Sequence, residues 1–295
     1  MSAPLGHYLA YTRPRTIPVT LVMVLTGWLA SPQHPRELLP ILLDLGLLAA
    51  VYSFLLWGGS NAFNSAEDRD EGPVNLLPNP PPLPSGLGAF GLTLQLLGVV
   101  ASSVFGVRCV ALALLATVVS TFYSWRGKAS WSGWWRRGKE IPFVDNLINA
   151  TGCGLGSFLY GWFATGAEPS RAAIWMSVAW TVLLFGGIPT SQIFQLRPGE
   201  TVATARNWTA LLGAERTLRL GAALFALHLS MLAPLARLGV ADLLWGSCVL
   251  AGAVHSAWWS RAPFTDPYRR MLRQMTLLSV GQLAWALGKA WHPAL

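Results

Sequence analysis

Nine apolar blocks alternate with polar links along this chain, at about 17–31, 39–59, 87–105, 107–125, 143–165, 172–191, 216–236, 240–259 and 272–291. A helix needs roughly 20 mostly apolar residues to cross the hydrocarbon core of a bilayer, where the backbone must satisfy its own polar groups. The pattern therefore predicts nine transmembrane helices in a single all-α integral membrane domain over 1–295. So little separates the third block from the fourth (Gly106, Val107, Arg108) that a tight helical hairpin is expected there. Pro189 and Pro198, near the end of the sixth block, predict a kinked or broken helix, which membranes tolerate where backbone lines a cavity.

The link from Asn61 to Ser85 interrupts the apolar pattern most sharply. Four of the 13 acidic residues, Glu67, Asp68, Asp70 and Glu71, fall within five positions there. If the second helix continues past Asn61, then Asn61, Asn64, Asp68 and Glu71 recur at spacings of three and four and share one face. Hard oxygen ligands on one face suit Mg²⁺, which takes a few carboxylates and completes its shell with water and phosphate oxygens. A solvated helix end running into the proline-rich stretch Pro78 to Pro84 accounts for the same residues without a metal. Both readings stand on these residues alone.

Composition fixes the class. Charged residues make up 12% of the 295, against about 25% in soluble domains, mean hydropathy is +0.45, and there are 15 tryptophans. The start, Met1 to Thr16, has no apolar region with a small-residue cleavage site, so the first block is expected to remain as a span. Cys109, Cys153 and Cys248 are scattered in apolar runs without a CxxC pair and read as small buried hydrophobes. With the amino terminus cytoplasmic, 16 of the 21 Lys and Arg fall on the cytoplasmic side, leaving Arg36, Arg108, Arg171, Arg237 and Lys289 outside. The formal charge of +8 is thus mostly topology and is not read as nucleic-acid binding.

Two further cytoplasmic links carry chemistry. Tyr123 to Asp145 mixes five cations, Lys128 and Lys139 among them, with four tryptophans. An aromatic belt with inside positives explains this stretch, and cations beside a metal would also bind a diphosphate. Asp145, Asn146 and Asn149 open the fifth block, and polar groups at membrane depth are costly unless they face a cavity. The stretch Gly186 to Gly213 brings Gln192, Gln195, Glu200, Arg206 and Asn207 to the same side. Arg13 and Arg15, in TRPRTIP before the first span, are either topology anchors or diphosphate contacts.

On TRPRTIP, NSAEDRDEGP at 64–73, YS at 123–124, DNLIN at 145–149 and ARNWTALLG at 205–213, the chain resembles the UbiA superfamily of intramembrane prenyltransferases. That family's first motif reads NDxxDxxxD. Here Asn64 and Asp68 match, Ser65 replaces the first Asp and Gly72 the last, with Asp70 and Glu71 beside it. This form is similar to a bacterial branch, which implies a bacterial inner membrane. The second motif reads DxxxD. Counting back from Gly213 places Arg206 on the family's Arg, Glu200 on the second Asp and Leu196 on the first, so one carboxylate remains there.

The resemblance implies a helical bundle around a central cavity open to the cytoplasm, with Mg²⁺ as cofactor and an isoprenyl diphosphate as substrate. It assigns the metal to Asn64, Asp68, Asp70, Glu71 and Glu200, with Asn64, Asp68 and Glu200 as the catalytic set. It gives the diphosphate to Arg69, Lys128, Lys139, Arg206, Gln192, Gln195 and Asn149. The expected reaction transfers the prenyl group to an aromatic or other acceptor. Intramolecular cyclisation, as by UbiA-type terpene cyclases, is the alternative that the thinned second motif favours, and a non-enzymatic membrane carrier is the third. Membrane lipid and a small aromatic acceptor are the remaining expected partners, with no nucleic acid and no obligate protein partner.

Overall fold

The computed structural model describes residues 3–70, 72, 74, 77–126, 137–196, 207–235, 239–262 and 265–291, without the side chains of 195, 235 and 289–291. After a short helix α1 (Leu5–Tyr11), the described residues form nine long helical rods. They are α2 (Ile17–Ala30), α3 (Leu38–Asp68), α4 (Leu87–Phe105), α5 (Val107–Ser124), α6 (142–164), α7 (Arg171–Gln192), α8 (Trp208–Leu232), α9 (Val240–Trp259) and α10 (Pro267–Trp291). Each overlaps one predicted block. Five of them, α3, α4, α5, α7 and α9, are long and apolar enough to cross a membrane by length and composition.

The surface confirms which solvent these rods meet. Leu42, Leu43, Leu96, Leu97, Val100, Leu115, Val118, Leu250 and Val254 are exposed, while Ser53, Gln95, Thr117, Ser177, His228 and Ser256 are buried. A soluble domain would not show so much apolar surface. This is a multi-pass integral membrane protein with leucine and valine turned to lipid.

With hydrocarbon outside, helices gain little from burying leucine and associate through close van der Waals contact at small residues. The α2–α6 contact is built this way. A Cβ on Gly27 would strike the Phe158 carbonyl, and one on Gly161 would strike the Val24 carbonyl, so neither position admits alanine without separating the helices. Midway along α3 and α6 the winding widens into π turns, at Ala49–Gly58 and Gly152–Gly156, a local departure common near functional sites. The Tyr52 hydroxyl meets Ser157 Oγ at 2.5 Å between them.

The predicted hairpin forms, with Gly106 at φ 98 between α4 and α5. Of the kinked or broken helix expected in the sixth block, a break does not occur at Pro189, because α7 continues through it to Gln192. Proline removes the N–H that would bond the carbonyl four residues back, and Asn146 of α6 donates its amide to that Phe185 carbonyl at 3.0 Å instead. The irregularity falls in α8, at Gly213 (φ 73, ψ 167), after one turn that starts at Trp208. Pro198 lies outside the described residues.

Candidate functional site

The last turns of α3 carry Asn61, Asn64 and Asp68 on one face, as the spacing predicts, and the helix stops at Arg69, whose left-handed conformation (φ 56) turns the chain away. Arg69 is exposed at that turn. Ahead of α2, Arg13 also adopts a left-handed conformation (φ 53), which returns its buried guanidinium toward α3. Its Nη2 donates to Ser65 Oγ at 2.8 Å and pairs with Asp70 Oδ2 at 3.4 Å. Burial pushes the Asp70 carboxyl above the usual carboxylate range and lowers Arg13, while each partner opposes the other's shift.

A second set of cations reaches the same helix end from the link between α5 and α6. Arg137 Nη1 pairs with Asp68 Oδ1 at 2.7 Å, and the Lys139 amine contacts that same oxygen. Lys139 Nζ also donates to Asn64 Oδ1 at 3.0 Å, an atom that accepts the Ser124 hydroxyl at 2.9 Å as well. Arg137 is fixed by Glu140, to which its Nε donates at 2.8 Å and its Nη2 at 2.5 Å. Burial lowers the Lys139 amine, and the Asp68 carboxylate resists that shift.

One step further into the bundle, Asp145 in the first turn of α6 accepts the Tyr123 hydroxyl at 2.7 Å and the Asn149 amide at 3.0 Å. Gln192, at the end of α7, interacts with the same carboxylate and accepts the Thr209 hydroxyl of α8 at 3.2 Å. That last bond ties together the two flanks of the link that carries Glu200, so its entry and exit both lie at this end of the bundle. Contacts from α3, α5, α6, α7 and α8 thus converge at one polar end.

Of the residues expected from sequence, Asn64, Asp68 and Lys139 are in direct contact, Asp70 adjoins them through Arg13 and Ser65, and Asn149 and Gln192 belong to the Asp145 layer. Glu71, Lys128, Glu200, Arg206 and the side chain of Gln195 lie outside what is described. Sequence reading missed Arg137 and the Asp145–Tyr123 pair, and left Arg13 undecided. The spacing of Arg137 to Glu140 and of Asp145 to Asn149 was the available signal, since groups three or four apart meet on a helical turn.

The donors fit Mg²⁺ in kind. Asn64, Asp68 and Asp70 offer oxygen and no nitrogen or sulfur, the preference of a hard cation. Among the described residues no group of three or more His, Cys, Asp or Glu is gathered to hold an ion by itself. Phosphate and water oxygens would have to complete the shell, the usual way Mg²⁺ is bound.

The UbiA prenyltransferase family model matches residues 17–280. Among solved structures, a digeranylgeranylglyceryl phosphate synthase is 16% identical with a TM-score of 0.66, covering 96% of this chain and 99% of that one. A UbiA homologue from Archaeoglobus fulgidus bound to GPP and Mg²⁺ is 18% identical with a TM-score of 0.66, covering 96% and 98%. The same homologue bound to DMAPP and Mg²⁺ gives 18% and 0.65, covering 98% and 99%. At these identities the likeness shows the fold. A comparison with curated proteins found no match.

Proposed function

The chain belongs to the UbiA prenyltransferase family, and from that premise we propose that it ionises an isoprenyl diphosphate at its polar end and passes the prenyl group to an aromatic or other small acceptor. One observation carries the reading: two cations, Arg137 and Lys139, share Asp68 Oδ1 beside the Asn64 amide oxygen. Oxygen ligands for a metal and cations for a diphosphate stand side by side there.

In this reading Asn64, Asp68 and Asp70, with Glu71 and Glu200, hold Mg²⁺. Arg137 and Lys139 bind the diphosphate together with Arg69, Lys128, Arg206, Gln192 and Gln195, and Asn149 acts through Asp145. Bound Mg²⁺ supplies charge neutralisation that makes diphosphate a better leaving group. Arg137 and Lys139 are already largely buried beside Asp68, their side chains 10% and 14% exposed, so turning toward a diphosphate exchanges one anion for another and strengthens charge-assisted hydrogen bonds without a second dehydration. The prenyl tail lies among the helices, where aromatic faces shield an allylic cation. In this reading the balance of Lys and Arg orients this end toward the cytoplasm, and the likeness of the first motif to a bacterial branch makes the membrane a bacterial inner one.

Cyclisation is the second reading, favoured by the single carboxylate, Glu200, in the second link. Incubating membranes that contain the protein with geranyl, farnesyl and geranylgeranyl diphosphates and Mg²⁺, with and without an aromatic acceptor, separates the two. Turnover that requires the acceptor supports transfer. A cyclic hydrocarbon or alcohol formed without one supports cyclisation, and no diphosphate release under any condition overturns both.

A further inference from the structure

Asp145 is a buried carboxylate, 2% exposed, whose two oxygens are treated unequally. Oδ1 accepts the Tyr123 hydroxyl at 2.7 Å and the Asn149 amide at 3.0 Å, and Asn149 also donates to the Tyr123 oxygen at 3.1 Å. Oδ2 accepts no hydrogen bond. Leaving a buried polar atom unsatisfied costs on the order of 1–3 kcal/mol, more for a charged group, and such atoms in native structures call for an explanation in use. Among the described residues no cation closes on it: Lys139 is committed to Asn64 and Asp68, and its effect on Asp145 is felt only through space, while Gln192 of α7 comes near the carboxylate without placing a hydrogen bond on Oδ2. The position is that of a group beside the diphosphate site and outside it. Tyr123 precedes Ser124, which bonds Asn64, and on α6 Asp145 follows the Arg137–Lys139 link inward.

Resting on the reading above, we propose that Asp145 Oδ2 is the base that removes the proton released when the prenyl cation is captured. The proton balance is the same for both reactions. The allylic C–O bond breaks and its electron pair leaves on the diphosphate oxygen; a new bond forms at a cationic carbon; one proton then departs, from the acceptor in transfer or from the carbon next to the final cation in cyclisation. Asp145 takes that proton and becomes a neutral carboxylic acid. Tyr123 and Asn149 are positioning residues. By donating to Oδ1 they fix the carboxylate and leave Oδ2 as its basic atom, and neither replaces it, because the phenol is itself a donor here and the amide nitrogen has no basic lone pair.

The test uses the full-length protein in detergent or nanodiscs with Mg²⁺ and the allylic diphosphate it turns over, measuring released diphosphate and product in the same reaction. Asp145→Asn keeps an oxygen for Tyr123 and Asn149, so the local fold is retained while the base is lost. The expected result is a fall of about 10²-fold or more in deprotonated product per diphosphate released, within the range of general-base contributions. The shortfall is recovered as the free prenol from water capture. Tyr123→Phe should move the same ratio in the same direction by a smaller factor. Product and diphosphate falling together in Asp145→Asn, or an unchanged ratio, overturns the role. Should Asp145→Asn fail to fold, Tyr123→Phe decides, and an unchanged ratio overturns it again. A wild-type protein that releases no diphosphate from any of the three substrates overturns the enzymatic reading itself, a result distinct from a failure confined to Asp145.

Discussion

Two buried polar groupings in this bundle follow opposite rules. Around Asp68, partners are shared and uneven: Arg137 and Lys139 compete for one carboxylate oxygen, Asn64 Oδ1 accepts two donors, and Asp145 Oδ2 accepts none. Around His228, in the far half of α7 to α10, groups are matched nearly one to one. His228 Nδ1 meets the Ala179 carbonyl at 2.8 Å, Nε2 accepts the Trp245 indole at 3.0 Å, and Trp285 donates to Asp242 at 3.0 Å, with the Trp180 Nε1 left over. Trp180 and Trp245 then close on the imidazole, with Trp180 centred 4.9 Å from Trp245 and 5.0 Å from His228, and Trp285 packs on Trp180 at 5.6 Å. A matched grouping fastens helices. In the proposed function a mismatched one, with cations crowded on one oxygen, is the place that receives the diphosphate.

Substitutions should separate the two groupings cleanly. Asp68→Ala has the largest expected effect on chemistry, a fall in turnover of about 10²–10³-fold, the scale of losing one preorganised electrostatic contact, with the folded protein still recovered from detergent. Retained turnover with intact Mg²⁺ dependence would remove Asp68 from the metal. His228→Ala should do the reverse: it destabilises by on the order of 3 kcal/mol through a cavity and two lost membrane hydrogen bonds, read as a lower melting temperature, while the KM of the surviving enzyme for diphosphate is unmoved. A KM change there would merge the two regions into one site.

Arg137→Gln should raise the KM for the allylic diphosphate about tenfold, in line with a hydrogen bond to a charged group, and Arg137→Lys should restore only part of it, because lysine lacks the planar fork. The smallest effect is expected from Glu200→Gln, a few-fold weakening in a Mg²⁺ titration of activity. An unchanged titration would show that the second link has lost its metal role.

Much of this was legible in the sequence, and the exceptions have physical causes. The nine rods each overlap an apolar block, and in the five that are long and apolar enough to cross a membrane the reason is that lipid demands both length and hydrophobicity. The shared face of Asn61, Asn64 and Asp68 on α3 was readable from its spacing alone, but α3 stops at Asp68, short of Glu71, which lies outside the described residues. The start of α8 was not: Asn207 caps a turn beginning at Trp208 and accepts the Ala210 amide, and this turn and its break at Gly213 precede an apolar run made ambiguous by Glu215, Arg216 and Arg219. That Pro189 would leave α7 unbroken was not legible, because its cost is met by Asn146, a residue 43 positions away in sequence. Arg13 and Arg137 were two cations among many on one side of the membrane, and only folding shows that their partners are Asp70 and Asp68. Asp145 read as one polar residue in a span opening, since the lack of a partner on one of its oxygens is a property of packing.

The most direct test of the central claim is calorimetric binding of a non-ionisable allylic thiolodiphosphate to the purified protein, with and without Mg²⁺, for the wild type and Asp68→Ala. The account predicts tight binding that requires Mg²⁺ and is lost in Asp68→Ala. Binding of equal strength without the metal, or undiminished in Asp68→Ala, would contradict it.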